Sequence, residues 1–268
     1  TSNGGYQVRR AVESAPEWFD GGVDWEGTFV DAGGPNLLTD LPVAVLNYPD
    51  YVAGGMDANG TAAKNIRAAG FPSDLTNGAT SLWALNSASF WEVTLCQWQK
   101  RLDPTYDTYG SGPEDYNYIA RLPVSNADDK VADFATTGRI KRPLITVAGT
   151  MDALLPIDHH ARAYARKVAA SASERMDDDD HGHRGRYHHH RSPAYRLYEV
   201  QNGNHIETYK LALPQLELIQ PHAQRAFDLL VGYVEKGSVL PPDQCIGRGA
   251  AIAAAPAQPG HCAELLAP

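Results

Sequence analysis

The first part of the chain alternates between a helical and a strand pattern of apolar residues. Over residues 6–15 the apolar positions recur at roughly helical spacing, which predicts a helix that Pro16 ends. The short, glycine-containing apolar stretch 19–25 is typical of a buried strand. Residues 1–5 read as a turn, so we expect a turn, a helix and a strand in that order.

Two later apolar runs predict central strands. Residues 143–149 are almost continuously apolar and end in glycine, and residues 194–200 form a second strand candidate. Helical patterns follow over 156–170 and 221–235. Strands that alternate with helices are typical of an α/β fold, in which a mostly parallel sheet is covered on both faces.

The segment 31–140 differs from both ends, because it is rich in Gly, Pro, Asn, Asp and aromatic residues. Its clearest pattern, over 81–102, predicts an apolar helix or a pair of helices ending before Pro104. Trp83 and Trp91 fit either a core or the wall of a pocket under a lid. We keep both alternatives and name the two tryptophans as candidate substrate-binding residues.

A charged, low-complexity stretch follows at 171–193. It holds four consecutive aspartates, 177–180, and five histidines, which predicts a solvated loop. Metal binding is the alternative, although the spacing matches no closed site, so we predict no metal centre.

Composition narrows the possible partners. The chain has 268 residues, of which 43% are hydrophobic, enough for one core or for one core plus a lid. The chain contains no run of about 18 apolar residues, so we expect no helix that spans a membrane. The net charge of −9 argues against nucleic acid, since phosphate contacts need clustered Lys and Arg. We expect a small-molecule or oligomeric substrate and no cofactor.

Cysteine placement suggests the compartment. Cys245 and Cys262 flank a Gly/Ala/Pro-rich stretch, and a disulfide between them would hold the tail in place. Such a bond would indicate a secreted or periplasmic protein. Two unpaired thiols are the alternative. Cys96, in an apolar run, is expected to be a buried small hydrophobe.

The turn before the first helix is a candidate nucleophile site. A catalytic serine needs a histidine base, an acid that orients it, and backbone donors for the oxyanion. Ser2, followed by Asn3 and two glycines and then by a helix, has the sequence expected after a nucleophile on a tight turn. The alternative is an ordinary helix cap.

The order of the other two groups favours a triad. Asp152 follows the strand predicted at 143–149, and His205 follows the strand predicted at 194–200. Catalytic groups of open α/β sheets cluster at these strand ends, in the order serine, acid, histidine. Glu26 and Asp31, which follow the earlier strand, are the alternative acids.

The sequence also resembles a known superfamily. Residues 149–156, GTMDALLP, resemble the acid-bearing segment of many α/β-hydrolases, and residues 198–205, YEVQNGNH, resemble their histidine segment. With SNGG at 2–5 and LPP at 240–242, the chain resembles 3-hydroxybutyrate oligomer hydrolases and related secreted, tannase-like esterases. The resemblance covers residues 1–26 and 141–245.

That resemblance implies ester hydrolysis through an acyl-enzyme. Ser2 would be the nucleophile, His205 the base and then the acid, and Asp152 the group that orients His205. The backbone N–H of Asn3 would be one oxyanion donor. Hydroxyalkanoate oligomer esters and aryl esters are the candidate substrates.

The same resemblance predicts the domain organisation. Residues 1–30 would be the nucleophile turn with its helix and strand, 31–140 an inserted lid, 141–245 the rest of the hydrolase core, and 246–268 a tail. A family member carries about five strands before its nucleophile. We therefore expect the C-terminal part of an α/β-hydrolase, completed by an N-terminal polypeptide segment, as in a processed precursor.

Two other classes of function stay open. An N-terminal Thr1 could be the nucleophile of an amidohydrolase that uses its own α-amine as base, although such enzymes have antiparallel sheets. A hydrolase-like binding subunit without catalysis is the second alternative.

Overall fold

The computed structural model describes residues 1–106, 116–181 and 193–268, except for the side chains of 175–181. In chain order the strands are β1 (Gly22–Trp25), β2 (Thr76–Asn77), β3 (Thr80–Ser81), β4 (Leu144–Gly149), β5 (Tyr195–Val200) and β6 (Gln244–Ile246). The helices are α1 (Asn3–Ser14), α2 (Leu37–Ala53), α3 (Thr61–Ala68), α4 (Leu82–Ser89), α5 (Trp91–Leu102), α6 (Tyr118–Arg121), α7 (Ala127–Phe134), α8 (Ala161–His181) and α9 (Gln220–Lys236). A 3-10 helix spans Glu207–Leu211.

The central sheet has the strand order β1–β4–β5–β6, and all its neighbouring strands are parallel. β4 lies inside it, and all six of its residues are buried. Ile145 and Val147 face the α9 side, while Leu144 packs with residues of α1 and α8 on the other face. This is the predicted α/β class with a mostly parallel sheet, and the prediction is confirmed.

A buried ion pair fixes α1 to the sheet. Arg9 Nε lies 2.5 Å from Asp24 Oδ2, and both side chains are fully buried. The Thr146 hydroxyl donates to the same carboxylate oxygen at 3.0 Å, so β4 joins the contact. Because Arg9 is in α1 and Asp24 in β1, this network sets where the helix begins relative to the strand ends.

Helices α2 to α7 and the β2–β3 hairpin lie between β1 and β4 in the chain and share one core. Trp83 and Trp91 lie in this core, and both are fully buried. The indole N–H of Trp83 donates to Pro72 O at 3.0 Å, and that of Trp91 to Ala153 O at 2.6 Å. Neither side chain has exposed surface for a substrate, so the expected pocket role is corrected to a core role.

The apolar pattern over 81–102 forms two helices that meet at Phe90, which is one of the two expected arrangements. The stretch after residue 170 differs from the expectation. α8 continues to His181, so the loop expected from residue 171 is wrong for 171–181. The histidines at 183 and 188–190 lie outside the described residues.

The tail is more ordered than expected. No pattern of apolar residues predicts β6, yet its three buried residues pair with β5. The expected disulfide between Cys245 and Cys262 is confirmed, and Cys96 is half-buried. None of the helices in the described residues is long and apolar enough to span a membrane.

Candidate active site

Ser2 stands at the start of α1 in an unusual backbone conformation. Its φ is 55° and its ψ is −122°, a region that residues other than glycine rarely adopt. Its side chain makes no capping hydrogen bond, so the alternative of an ordinary helix cap does not hold. The Ser2 N–H donates to Trp25 O at 3.1 Å, which puts Ser2 at the carboxyl end of β1.

Close packing below Ser2 explains one of the two glycines. A Cβ on Gly5 would lie 2.3 Å from Asp24 Oδ1 and 2.6 Å from the Cα of Gly27, distances that real Cβ atoms do not show. Gly4 differs, because a Cβ there would meet nothing within 4 Å. Only glycine at position 5 lets the helix approach the strand this closely.

Asp152 and His205 form a buried pair. His205 Nδ1 lies 3.0 Å from Asp152 Oδ2. The other carboxylate oxygen accepts the N–H groups of Leu154 and Leu155 at 2.8 and 2.7 Å. With Oδ1 fixed by the backbone, Oδ2 is aimed at the imidazole. A proton on Nδ1 then leaves Nε2 as the nitrogen able to accept another proton.

The loops that carry this pair touch each other where β4 and β5 end. A Cβ on Gly149 would lie 2.4 Å from the carbonyl carbon of Gly203, so the two backbones are in direct contact. The Met151 N–H donates to Gly203 O at 2.8 Å. These contacts hold the segment before Asp152 against the segment before His205.

The C-terminal tail lies against the same loops. Asn202 Nδ2 donates to Ala267 O at 2.8 Å, and the Ala267 N–H donates back to Asn202 Oδ1 at 2.6 Å. The Thr150 hydroxyl donates to Leu265 O. Residues 265–267 therefore contact both loops through hydrogen bonds.

Glu26 is a second carboxyl beside the histidine. Its Oε2 lies 3.6 Å from His205 Nδ1, and its side chain is 1% exposed. Neither carboxylate oxygen has a hydrogen-bond partner of standard geometry among the described residues, although the Gly149 N–H is near enough to lower its pKa. Glu26 also has a positive φ of 48°. Two carboxyls thus converge on one ring nitrogen.

Burial and charge shift both groups. Burial raises the pKa of Glu26 to about 8, while the neighbouring His205 opposes the shift. Burial alone would lower the pKa of His205, but the carboxylates of Asp152 and Glu26 outweigh it and raise that pKa to about 9. The imidazole is therefore a stronger base than an exposed histidine.

Of the remaining candidate residues, Asp31 lies away from His205, whereas Asn3 and Ser2 lie at the start of α1. Asp31 binds Lys167 Nζ at 2.9 Å and the Gly33 N–H at 3.0 Å, so this alternative acid is engaged elsewhere. Asn3 is the first residue of α1, where backbone N–H groups lack helical partners. The Ser2 N–H binds the carbonyl of Trp25, and the next residue, Glu26, lies beside His205. Ser2 and His205 therefore lie at the same edge of the sheet.

A cation could in principle occupy part of this cluster. Donor atoms of Glu26, Asp152 and His205 all lie within 4.8 Å of one another. The separation of 3.0 Å between Asp152 and His205 is, however, the length of a direct N–H···O hydrogen bond. A proton on Nδ1 accounts for this geometry without an ion.

The sequence missed the closeness of Glu26 to Asp152. The sequence offers Glu26 as an alternative to Asp152, whereas the structure places both carboxyls beside His205. The available signal was its position one residue beyond β1, at the strand edge where the other candidates end.

Comparison with known proteins gives partial matches. No family model matches the chain. It is 29% identical over 124 residues to a D-(-)-3-hydroxybutyrate oligomer hydrolase of Burkholderia thailandensis, covering 44% of this chain. A protein of the same name from Burkholderia mallei is 29% identical over 123 residues, covering 43% of this chain. The chain spans 15% of the length of each relative.

Two solved structures are similar to a lesser degree. Feruloyl esterase B from Aspergillus oryzae matches with a TM-score of 0.40 and 13% identity, over 89% of this chain and 58% of that one. An esterase from the same organism matches with a TM-score of 0.37 and 15% identity, with the same coverage.

Proposed function

We propose that this protein hydrolyses carboxylic esters by a serine mechanism. The observation that carries the proposal is the buried pair of Asp152 and His205, with Nδ1 held at 3.0 Å and Nε2 left to act as a base. Ser2 is the proposed nucleophile, because its strained backbone and uncapped hydroxyl fit a nucleophile on the tight turn before a helix. The sequence relatives are named as hydrolases of 3-hydroxybutyrate oligomers.

The proposed reaction has two acyl transfers. His205 Nε2 takes the Ser2 proton while Oγ bonds to the ester carbonyl carbon, and the Asn3 N–H donates to the oxyanion. The protonated His205 then gives its proton to the departing alcohol as the C–O bond breaks. Water repeats the sequence on the acyl-enzyme, releasing the acid and restoring the Ser2 hydroxyl.

Hydroxyalkanoate oligomer esters and aryl esters are the proposed substrates. The first class follows the names of the sequence relatives, and the second follows our sequence expectation. Both present an ester carbonyl to the same nucleophile. Chromogenic aryl esters and 3-hydroxybutyrate dimers would serve as assays for the two classes.

A fluorophosphonate experiment tests the nucleophile. We expect a single adduct on Ser2, found by peptide mass spectrometry, together with loss of ester turnover. An adduct on Thr1 would favour the N-terminal-nucleophile alternative, against which the parallel sheet argues. A protein that takes no label and turns over no ester, even with the segment that completes the sheet along β1, would be the non-catalytic alternative.

We also propose that a polypeptide segment completes the sheet along β1. Within the described residues, β1 pairs with β4 alone. The Trp25 carbonyl, at the end of β1, accepts the Ser2 N–H. The edge of β1 that faces away from β4 can therefore bind a parallel strand that ends at Ser2. Trp18 and Phe19, just before β1, are 79% and 47% exposed and would be covered by such a segment.

The compartment is proposed from the disulfide. Cys245 and Cys262 are bonded, and such bonds persist in oxidising environments. We place the protein outside the cytosol, in a secreted or periplasmic location.

A further inference from the structure

A cleft of about 530 Å³ begins one residue from the proposed nucleophile. Asn3, which follows Ser2, lines it, together with Tyr6 on the same helix. The opposite wall comes from α5 and from Phe134 at the end of α7. The cleft therefore lies between α1, which begins directly after Ser2, and the helices inserted between β1 and β4. Ligand sites commonly lie between two such units.

Aromatic rings give this cleft stable walls. Tyr6 and Phe134 are stacked, with ring centroids 6.5 Å apart and planes 27° apart. The Tyr6 hydroxyl donates to Phe134 O at 2.9 Å, which locks the pair across the two units. Trp98 adds a third, partly buried ring. A ligand here would meet rigid apolar surfaces.

The described residues that line the cleft carry positive charge, whereas the chain as a whole is acidic. Lys100 and Arg101 line it, the other lining residues are amides and aromatics, and no carboxylate is among the described lining residues. The whole protein carries a net charge of −9. A positive site beside a catalytic serine in an acidic protein favours an anionic ligand.

Arg101 is held in a way that leaves its donors available. Its Cζ lies 4.8 Å from the centroid of the Phe134 ring. None of the arginine ion pairs formed by described residues includes Arg101. The N–H donors of a guanidinium form a planar fork, from which a carboxylate can accept two hydrogen bonds.

We infer that this cleft is a carboxylate-recognition subsite, which selects esters whose far end carries a free carboxylate paired with Arg101. The inference rests on the proposed function, because the ester end of the ligand must reach Ser2. Tyr6, Trp98 and Phe134 contact the carbon chain between the two ends.

Two substrates of equal length test the inference. Mono-4-nitrophenyl adipate and 4-nitrophenyl hexanoate differ in that a carboxylate replaces the terminal methyl group. We expect Arg101→Gln to lower kcat/KM for the adipate about tenfold or more, since a charged hydrogen bond is lost, and to leave the hexanoate within about twofold. Arg139→Gln, which removes the same charge from a side chain 68% exposed and paired with Glu174, is the matched control.

The outcomes separate this inference from the proposed function. If the wild type, assayed together with the segment that completes the sheet along β1, turns over neither ester, the proposed function fails. If both esters are turned over but Arg101→Gln changes kcat/KM for the two equally or not at all, the subsite is refuted.

A second measurement needs no variant. The wild-type preference for the adipate must fall as the salt concentration rises from about 0.05 to about 0.5 M, because salt screens the charge pair. A preference independent of salt would also overturn the inference.

Discussion

Glu26→Gln is predicted to move the pH dependence of ester hydrolysis to lower pH. The substitution removes a carboxylate 3.6 Å from His205 Nδ1 with little change in shape. Neutral imidazole is the form that accepts the serine proton, so activity rises as pH passes through the His205 pKa. Glu26 contributes to raising that pKa to about 9. Without its charge, the rise must occur at lower pH.

The expected size follows from the distance. At an effective dielectric of about 20, unit charges 3.6 Å apart interact by about 4.6 kcal/mol, which corresponds to roughly 3 pKa units. Burial raises the pKa of Glu26 itself, so its carboxyl carries a full charge during only part of the titration. We therefore expect a downward shift of about 1 to 3 units, the usual range for a close charge.

The assay is kcat/KM for a neutral chromogenic ester, measured from about pH 5 to 10. The wild type should still gain activity above pH 8, whereas an unperturbed histidine would give a rise near neutrality. Glu26→Gln should therefore be at least as active as the wild type at pH 7. Asp31→Asn removes a carboxylate that is bound to Lys167 instead, and its profile should match the wild type.

Two results would refute this reasoning. An unchanged or higher midpoint in Glu26→Gln would show that the Glu26 charge does not act on His205. A loss of activity at every pH, while Asp152→Asn keeps its activity, would make Glu26 the orienting acid. We expect instead that Asp152→Asn loses about 10⁴-fold in kcat, as the same change does in the triad of a serine protease, and that Glu26→Gln stays active.

Three further predictions follow from the same contacts. Ser2→Ala should lower kcat for ester turnover by about 10⁴-fold or more, and activity within about tenfold of the wild type would exclude Ser2 as nucleophile. Gly5→Ala should destabilise the protein by about 1–3 kcal/mol in denaturant unfolding, because its Cβ would overlap Asp24 and Gly27, whereas Gly4→Ala, which meets nothing within 4 Å, should not. Residues 1–268 expressed alone should be insoluble or inactive, and should become soluble when a segment that pairs along β1 is added. A monodisperse, fully active product without that segment would refute the proposal that β1 needs a partner strand.

Sequence reasoning worked best where the local signal and the chain order agreed. The continuous apolar run at β4 predicted a strand buried on both faces, and Asp152 and His205 were found by their places after successive strands. The same reasoning failed for Trp83 and Trp91. Helical periodicity tells which side chains point away from solvent, but a core and a pocket wall give the same pattern.

Other features depended on tertiary context. β6 has three residues, too few for a periodic signal, and it exists because β5 offers a free edge and the disulfide holds Cys245 nearby. α8 runs through an aspartate-rich stretch that composition assigned to a loop. The convergence of Glu26 on His205 depends on how the chain turns after β1, including a positive φ that the residue type does not predict.

The tail contacts link the order of the Asp152 and His205 loops to the state of the disulfide. Residues 265–267 hold the loops of Asp152 and His205, and the covalent bond between Cys245 and Cys262 keeps this last stretch from leaving. In a reducing cytosol the same stretch would have weak hydrogen bonds alone to keep it in place. Reduction of the disulfide should therefore loosen the loops of Asp152 and His205, although neither cysteine lies in them.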